Sequence, residues 1–405
     1  VNDIVHIGNQ YRKRAKRSII YGPASSRRRL RRGRAIAWKW SGFALTACGG
    51  PEHGQIMTRA AASSLDKILS APLPDFDVAD LASALRQHYG IEGLLSRISG
   101  ERDLNFRVDA SDGRTFVSKI SGLSDTHDEI AFQNGALIHL AARNPSLPVP
   151  GVIPARDGRM IVPLERNGRH CLLRVLSYLP GEPVIGHRTS SAQRETLGKL
   201  SARLDAGLAD YAHPAAERPL IWDLVHFAAL RGKLGFVEDD SQRALAGRVF
   251  DRFGRVVAPR LPALRRQIIH NDLNQNNILI GRDGSVCGFI DFGDMVRTVL
   301  VAEVAIVAAH QLYREDDVLS VMKEIVAGYA KVLPLRDEEI AVLPALVQSR
   351  LATRELIVAW RSRTNPAATT SYRNDISKFG WAALARCEAL DELEAHDRLA
   401  EAARL

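Results

Sequence analysis

Asp272, Asn277 and Asp291 are the residues of this chain whose types and spacing can do chemistry: a carboxylate, an amide five residues on, and a second carboxylate fourteen residues later. They lie in His270-Asn271-Asp272-Leu273-Asn274-Gln275-Asn276-Asn277 and in Phe289-Ile290-Asp291-Phe292-Gly293-Asp294. One carboxylate can meet a substrate hydroxyl and take its proton. The amide oxygen and the other carboxylate suit a hard cation such as magnesium. Phosphoryl transfer from a nucleotide asks for this set, because a protein catalyses it mainly by positioning groups and neutralising charge. A single Asp or Asn in a turn usually caps the turn. Three of them between apolar runs point to chemistry instead. His270 has no acid–base task in this scheme and reads as a support that holds the loop.

Stepping outward, Asn277 to Ile280 and Ser285 to Ile290 read as two strands around an Asp283-Gly284 turn, which puts Asn277 and Asp291 at one edge of a hairpin. Upstream, Leu94 to Ile98, Asn105 to Ala110 and Thr115 to Ile120 form a meander of short strands. On the third, Val117 and Lys119 share a face, so Lys119 is the candidate for the nucleotide's phosphates. Gly100, in the first turn, is placed to lie over those phosphates, although a plain hairpin turn explains one glycine as well. The helix Asp125 to Arg143 offers Glu129 to orient Lys119; a solvated first-turn acid is the competing reading. Backbone from Ser177 to Leu179 is placed to meet the nucleotide base, and Leu179-Pro180-Gly181-Glu182-Pro183 to act as a hinge, with a simple surface turn as the competing reading. Helical spacing dominates from Ala192 onward, including Trp222 to Arg231, Asp240 to Val257 and the tail Glu339 to Leu405. In that tail Arg350, Arg354, Trp360 and Arg361 can meet a substrate carboxylate, or simply form a salt-bridged helix surface. Asp294 is close to the catalytic motif in sequence, whereas Glu303 reads as packing or capping.

The 405 residues carry a formal charge of +9, with 55 basic and 46 acidic side chains. Twelve of the basic ones fall in residues 1–56, against only Asp3 and Glu52, so the remaining 43 basic and 44 acidic groups leave a body near neutrality. Such a body has no electrostatic support for nucleic-acid binding. Three readings of the leader stand open: a segment outside the working protein, whose start is then Met57; a solvated basic tail; or an export signal ending near Cys48. The four cysteines are far apart and form no Cys-x-x-Cys pair, which fits a reducing, cytoplasmic setting. No apolar run reaches the length of a membrane span.

The His-x-Asp…Asn…Asp-Phe-Gly-Asp pattern resembles the aminoglycoside phosphotransferase and choline kinase superfamily. More narrowly, the Ser99–Val108 loop, Phe116–Ser121, Leu173–Gly181, Trp222, His270–Leu279, Asp291–Met295 and Phe379–Trp381 resemble the hydroxylysine kinases. The resemblance implies an α+β, bilobal, protein-kinase-like fold, with a small antiparallel-sheet N-lobe (57–178) and a larger, mostly helical C-lobe (179–405). It implies Asp272 as base, Asn277 and Asp291 as holders of Mg2+, and Lys119 on the phosphates. ATP or GTP is the implied donor. A small hydroxylated amine or amino acid is the implied acceptor, with 5-hydroxylysine first among them. An aminoglycoside, homoserine or choline acceptor and an inactive nucleotide-binding scaffold are the alternatives. One departure stands out: the family's usual glycine between the His and the Asp is Asn271 here.

Overall fold

The computed structural model describes residue 74 and residues 76–404, except 101–102, 123, 167–168 and 365–376. The basic leader, residues 1–56, and Met57 lie outside the described residues. A helix, α1 (Val78–Ala84), continues through a π-helical turn, Leu85–Tyr89. Next come β1 (Gly93–Ile98), β2 (Leu104–Ala110) and β3 (Thr115–Ile120), then helix α2 (His127–Arg143). The sheet is completed by β4 (Val152–Ile153), β5 (Val162–Arg166) and β6 (Arg169–Ser177), in the order β1-β2-β3-β6-β4 with β5 also paired to β6. All its pairings are antiparallel.

Period-two patterning decides which face of this sheet does what. Leu104, Phe106 and Val108 of β2 and Phe116 and Ile120 of β3 are buried, and pack with Leu81, Leu85, Leu173 and Val175 as one small core. The opposite face of β3 turns Val117 and Lys119 toward a cavity. Burial of the apolar face is what fixes the register, since a slip by one residue would exchange the two faces.

The second, larger core is helical. It contains α3 (Ser191–Leu208), α4 (Asp240–Arg252), α5 (Val301–Gln311), α6 (Val318–Ala330), α7 (Asp337–Thr364), α8 (Ser377–Glu388) and α9 (Glu392–Ala402). Leu197, Leu200, Leu204 and Leu208 recur at helical spacing on α3 and are all buried in it. Phe132, Ala136, Leu137 and Leu140 of α2 join this larger core although α2 lies between β3 and β4 of the sheet in sequence. The stretch read as a helix from Trp222 is a 3-10 segment, Leu224–Phe236, and the helix from Asp240 changes to a π turn at Phe253–Val257. Among the described residues no helix is long and apolar enough to cross a membrane. Cys171, Cys287 and Cys387 are free thiols.

Five short strands in two small sheets carry the candidate site residues. Strand β7 (Glu182–Pro183) pairs with β9 (Ile278–Ile280), which pairs with β10 (Val286–Phe289). Strand β8 (Arg266–Ile269) pairs with β11 (Val296–Val299). The expected hinge, Leu179–Pro183, is therefore tied by β7 to the β9–β10 hairpin. Gly181 sits there at φ +142°, where a Cβ would lie 2.6 Å from the Cys287 sulfur, so this crossing is built for glycine.

Candidate active site

The loop 270–277 leaves β8 and enters β9, and Asp291 follows β10 directly, so these segments emerge at the same end of the hairpin. Ile290 N–H donates to the Asn277 carbonyl at 3.0 Å, which holds Asp291 beside Asn277. His270 is fully buried. Its Nδ1 accepts from the Asp272 N–H at 3.3 Å, so its proton sits on Nε2, 3.1 Å from the Ile290 carbonyl. Burial pulls its pKa down to about 4, and the ring is neutral. As a neutral ring clasped between loop and hairpin, His270 supports the geometry from beneath.

Asp272 is surrounded by donors. Its Oδ1 accepts from Arg350 Nη2 at 2.7 Å, and its Oδ2 from Asn274 and Asn277 Nδ2 at 2.9 and 2.8 Å. Burial pushes its pKa up to about 7; Asp294 and Asp291 push the same way, while Arg350 opposes them. Asn277 Nδ2 also donates to the Asp272 carbonyl at 2.8 Å. That commits the amide's nitrogen side to Asp272 and leaves Oδ1 as the atom to meet a cation. Asp291 adopts φ +63°, one of two non-glycine positive φ values among the described residues; the other is Asn271 at +64°. Both flank the loop, and strained backbone of this kind persists where surrounding structure enforces it, often at functional sites.

Lys119 Nζ lies 3.1 Å from Asp291 Oδ1 and 3.1 Å from Asp103 Oδ2. Burial alone would lower its pKa, but Asp291 and Asp103 outweigh that and raise it, so Lys119 is charged. The expectation for Glu129 is corrected here. Its carboxylate caps its own helix, accepting from Thr126 N–H at 2.8 Å, and pairs with Arg218 at 3.3 Å. Thr126 and Glu129 form a capping box, and that local demand holds Glu129 away from the lysine. Asp103, at the entry to β2, is the acid that sequence reasoning missed; only its place in a charged turn signalled it.

A cavity of about 560 Å³ collects these groups, within the usual range for a small-molecule site. Lys119, Asp272, Asn277 and Asp291 all line it, as do Gly100, Ser177 and Leu179. At Gly100 a Cβ would collide with the Asp103 carbonyl, so this cavity-lining position asks for glycine. Ser177 has both its N–H and its Oγ tied to Gly151, at 2.8 Å each, which fixes the strand edge that continues to Leu179. Arg174 lies across from Lys119 on β6 and is buried, donating to Gln133 and to Asn134 Oδ1 at 3.2 Å. It adds a second cation that the strand pattern alone did not reveal.

The other end of the cavity is built by Trp222, His310, Tyr313, Arg350 and Arg354. Arg350 stacks 5.0 Å from the Trp222 ring, and its Nε donates to His310 Nε2 at 3.2 Å. Trp360 and Arg361 do not line the cavity; Trp360 is buried with Lys233 over its ring. Asp294 is buried and lines it. Glu303 is fully buried beneath the loop, where Oε2 accepts from Asn271 N–H at 3.0 Å. Burial pushes its pKa up to about 7.

Among the described residues there is no cluster of three or more His, Cys, Asp or Glu able to hold a metal. The Asn277 amide oxygen and the Asp291 carboxylate, both lining the cavity, fit magnesium, which binds through one or two carboxylates plus substrate phosphates.

The sequence profile of the phosphotransferase enzyme family matches residues 95–342. Hydroxylysine kinase of Mus musculus is 28% identical over 334 residues, 76% of this chain and 88% of the relative. Homoserine kinase of Rhizobium etli is 28% identical over 227 residues, 54% of this chain and 65% of the relative. The solved structure of a microcompartment-associated aminopropanol kinase shares the fold, with a TM-score of 0.60 at 21% identity over 81% of this chain and 99% of that one.

Proposed function

The chain belongs to the phosphotransferase enzyme family, and we propose that it transfers the γ-phosphate of ATP or GTP to the hydroxyl of a hydroxylated amino acid or amino alcohol, with 5-hydroxylysine as first candidate. What carries this reading is that Lys119, Asp272, Asn277 and Asp291 line a single cavity. Asp272 is the base: its loop position orients the acceptor hydroxyl in line with the γ-phosphorus and takes its proton. Lys119 and Arg174 hold the donor's phosphate oxygens, the turn at Gly100 covers them, and the backbone from Ser177 to Leu179 meets the base of the nucleotide. Asn277 and Asp291 are the holders of magnesium, which when bound neutralises charge on those oxygens. His270 and Glu303 keep the loop in shape and touch no substrate.

The choice of 5-hydroxylysine is supported by the mouse relative, which this chain matches over most of both lengths. Homoserine is the second reading, favoured by the likeness to the Rhizobium enzyme. An aminoglycoside is disfavoured by chemistry, since a polycation asks for acids where Arg350 and Arg354 line the cavity.

Incubating the full chain with magnesium, ATP or GTP and each acceptor, followed by mass spectrometry, tests the proposal. The expected result is a mass gain of one phosphoryl group on 5-hydroxylysine. Phosphorylation of kanamycin alone, or of no acceptor, would overturn it.

A further inference from the structure

The acceptor end of the cavity carries an arrangement that the transfer reaction itself does not need. Two guanidinium groups line it, from Arg350 and Arg354, one turn apart on α7. Arg350 touches the candidate base and also donates from Nε to His310 Nε2. An arginine Nε–H only donates, so His310 Nε2 is an acceptor. Burial, with Arg350 and Arg354 nearby, lowers the His310 pKa, and the ring is neutral with its proton on Nδ1. Nδ1 lies 2.9 Å from the Tyr313 hydroxyl and donates to it. The Tyr313 oxygen is thereby an acceptor toward His310, and its own hydrogen is left to point elsewhere. Burial keeps this hydroxyl protonated, its pKa pushed up to about 12. Arg354 sits 5.5 Å over the Tyr313 ring. Its Nη1 also donates to Glu355 at 2.6 Å.

The result is a corner that presents donors and positive charge, with the Trp222 ring as one wall. We propose that this corner binds the carboxylate of the acceptor, through Arg354, Arg350 and the Tyr313 hydroxyl, and so selects hydroxylated amino acids over amino alcohols. The inference rests on the phosphotransfer reading above and narrows its acceptor class. Arginine presents a rigid fork that matches a carboxylate with two parallel hydrogen bonds, which a lysine does not reproduce. Because Arg350 also touches Asp272, an acceptor anchored there has its carboxylate one side chain away from the base. Asp294, buried on the same cavity, is the acid at hand for the ammonium group.

The test compares kcat/KM for 5-hydroxylysine and its carboxamide, and for homoserine and its carboxamide, using the full chain. The wild-type protein is expected to prefer the acid by at least about 30-fold, since a site built for a charged group leaves its donors unpaired when that group is missing. In Arg354→Gln and Tyr313→Phe that ratio falls toward one, and Arg354→Lys retains part of it. Equal turnover of acid and amide by the wild type would overturn the inference. So would a ratio that survives both substitutions, or an Arg354→Gln variant that raises only the nucleotide KM, which would place the guanidinium on the donor's phosphates. If no acceptor is turned over, the phosphotransfer reading has failed and the anion site is still tested by calorimetry. Binding of 5-hydroxylysine, homoserine or lysine to the protein with a non-hydrolysable nucleotide, lost with the amides and in Arg354→Gln, upholds it. Failure of all three amino acids to bind overturns it.

Discussion

Asp103→Asn and Glu129→Gln are predicted to differ sharply, because only the first removes a charge from Lys119. The Lys119–Asp103 pair is 3.1 Å long with side chains 8% and 15% exposed. At that distance, with an effective dielectric of about 20, the gross attraction is about 5 kcal/mol. Lys119 keeps its second partner, Asp291, and the new amide still accepts a hydrogen bond, so the net loss is about 2–3 kcal/mol. At 1.4 kcal/mol per factor of ten, the KM for nucleotide rises by about 30- to 100-fold if the lost contact is what aims Lys119 at the phosphates. Glu129→Gln leaves the capping box satisfied and loses only an ion pair with Arg218, so its KM stays within about twofold and its stability falls by less than about 1 kcal/mol. Steady-state nucleoside diphosphate release with nucleotide varied and acceptor saturating reads both, and circular dichroism checks that each variant folds. A KM rise in Glu129→Gln comparable to that of Asp103→Asn would refute the assignment, as would an unchanged KM in Asp103→Asn.

Asn271→Gly is expected to stabilise the protein by about 1–2 kcal/mol, raising the urea midpoint. Asn271 is fully buried at φ +64°, with neither side-chain polar atom hydrogen-bonded, so the relief of strain and of a desolvated amide exceeds glycine's entropic cost of roughly 0.5–1 kcal/mol. A lowered midpoint would contradict this. Glu303 gives a pH prediction. Its folded pKa of about 7 lies above the ordinary 4.5, so the native state binds more protons between these values. Stability is therefore fully present below about pH 4.5 and declines, by roughly 3 kcal/mol, as pH rises to about 7. Glu303→Gln removes its share of the decline in urea midpoints measured across the window, while Asp205, Asp272 and Glu355, also pushed up by burial, retain theirs. An unchanged slope in Glu303→Gln would show that the carboxyl is not the cause.

Much of this architecture was legible in the sequence where local pattern and burial agree. The meander shows because Leu104, Phe106 and Val108 alternate with polar residues, and the hairpin because Asp283-Gly284 separates two apolar runs. Lys119 stood out as a charge on a strand face shared with Val117. What escaped depends on contacts between residues distant in sequence. Asp103, at the start of β2, reaches Lys119 on the adjacent strand β3, and Arg350 reaches Asp272 from a helix 78 residues further on. Glu129 misled because a first-turn acid looks the same whether it caps its own helix or reaches toward a lysine. The short pairings β7–β9 and β8–β11 carry too few residues to leave a periodic trace. Arg350 was visible as a cation at the acceptor side, but its hold on the base required the folded path of α7.

The role of Asp272 as base for a small hydroxylated amino acid is open to a direct test. The measurement is release of ADP and GDP by the full chain with magnesium and 5-hydroxylysine, compared between the wild-type protein and Asp272→Asn. Acceptor-dependent release is expected to fall at least about 100-fold in the variant, while nucleotide binding, followed by calorimetry, is retained. Release that continues undiminished in Asp272→Asn, or nucleotide binding with no acceptor-dependent release in the wild type, would contradict it.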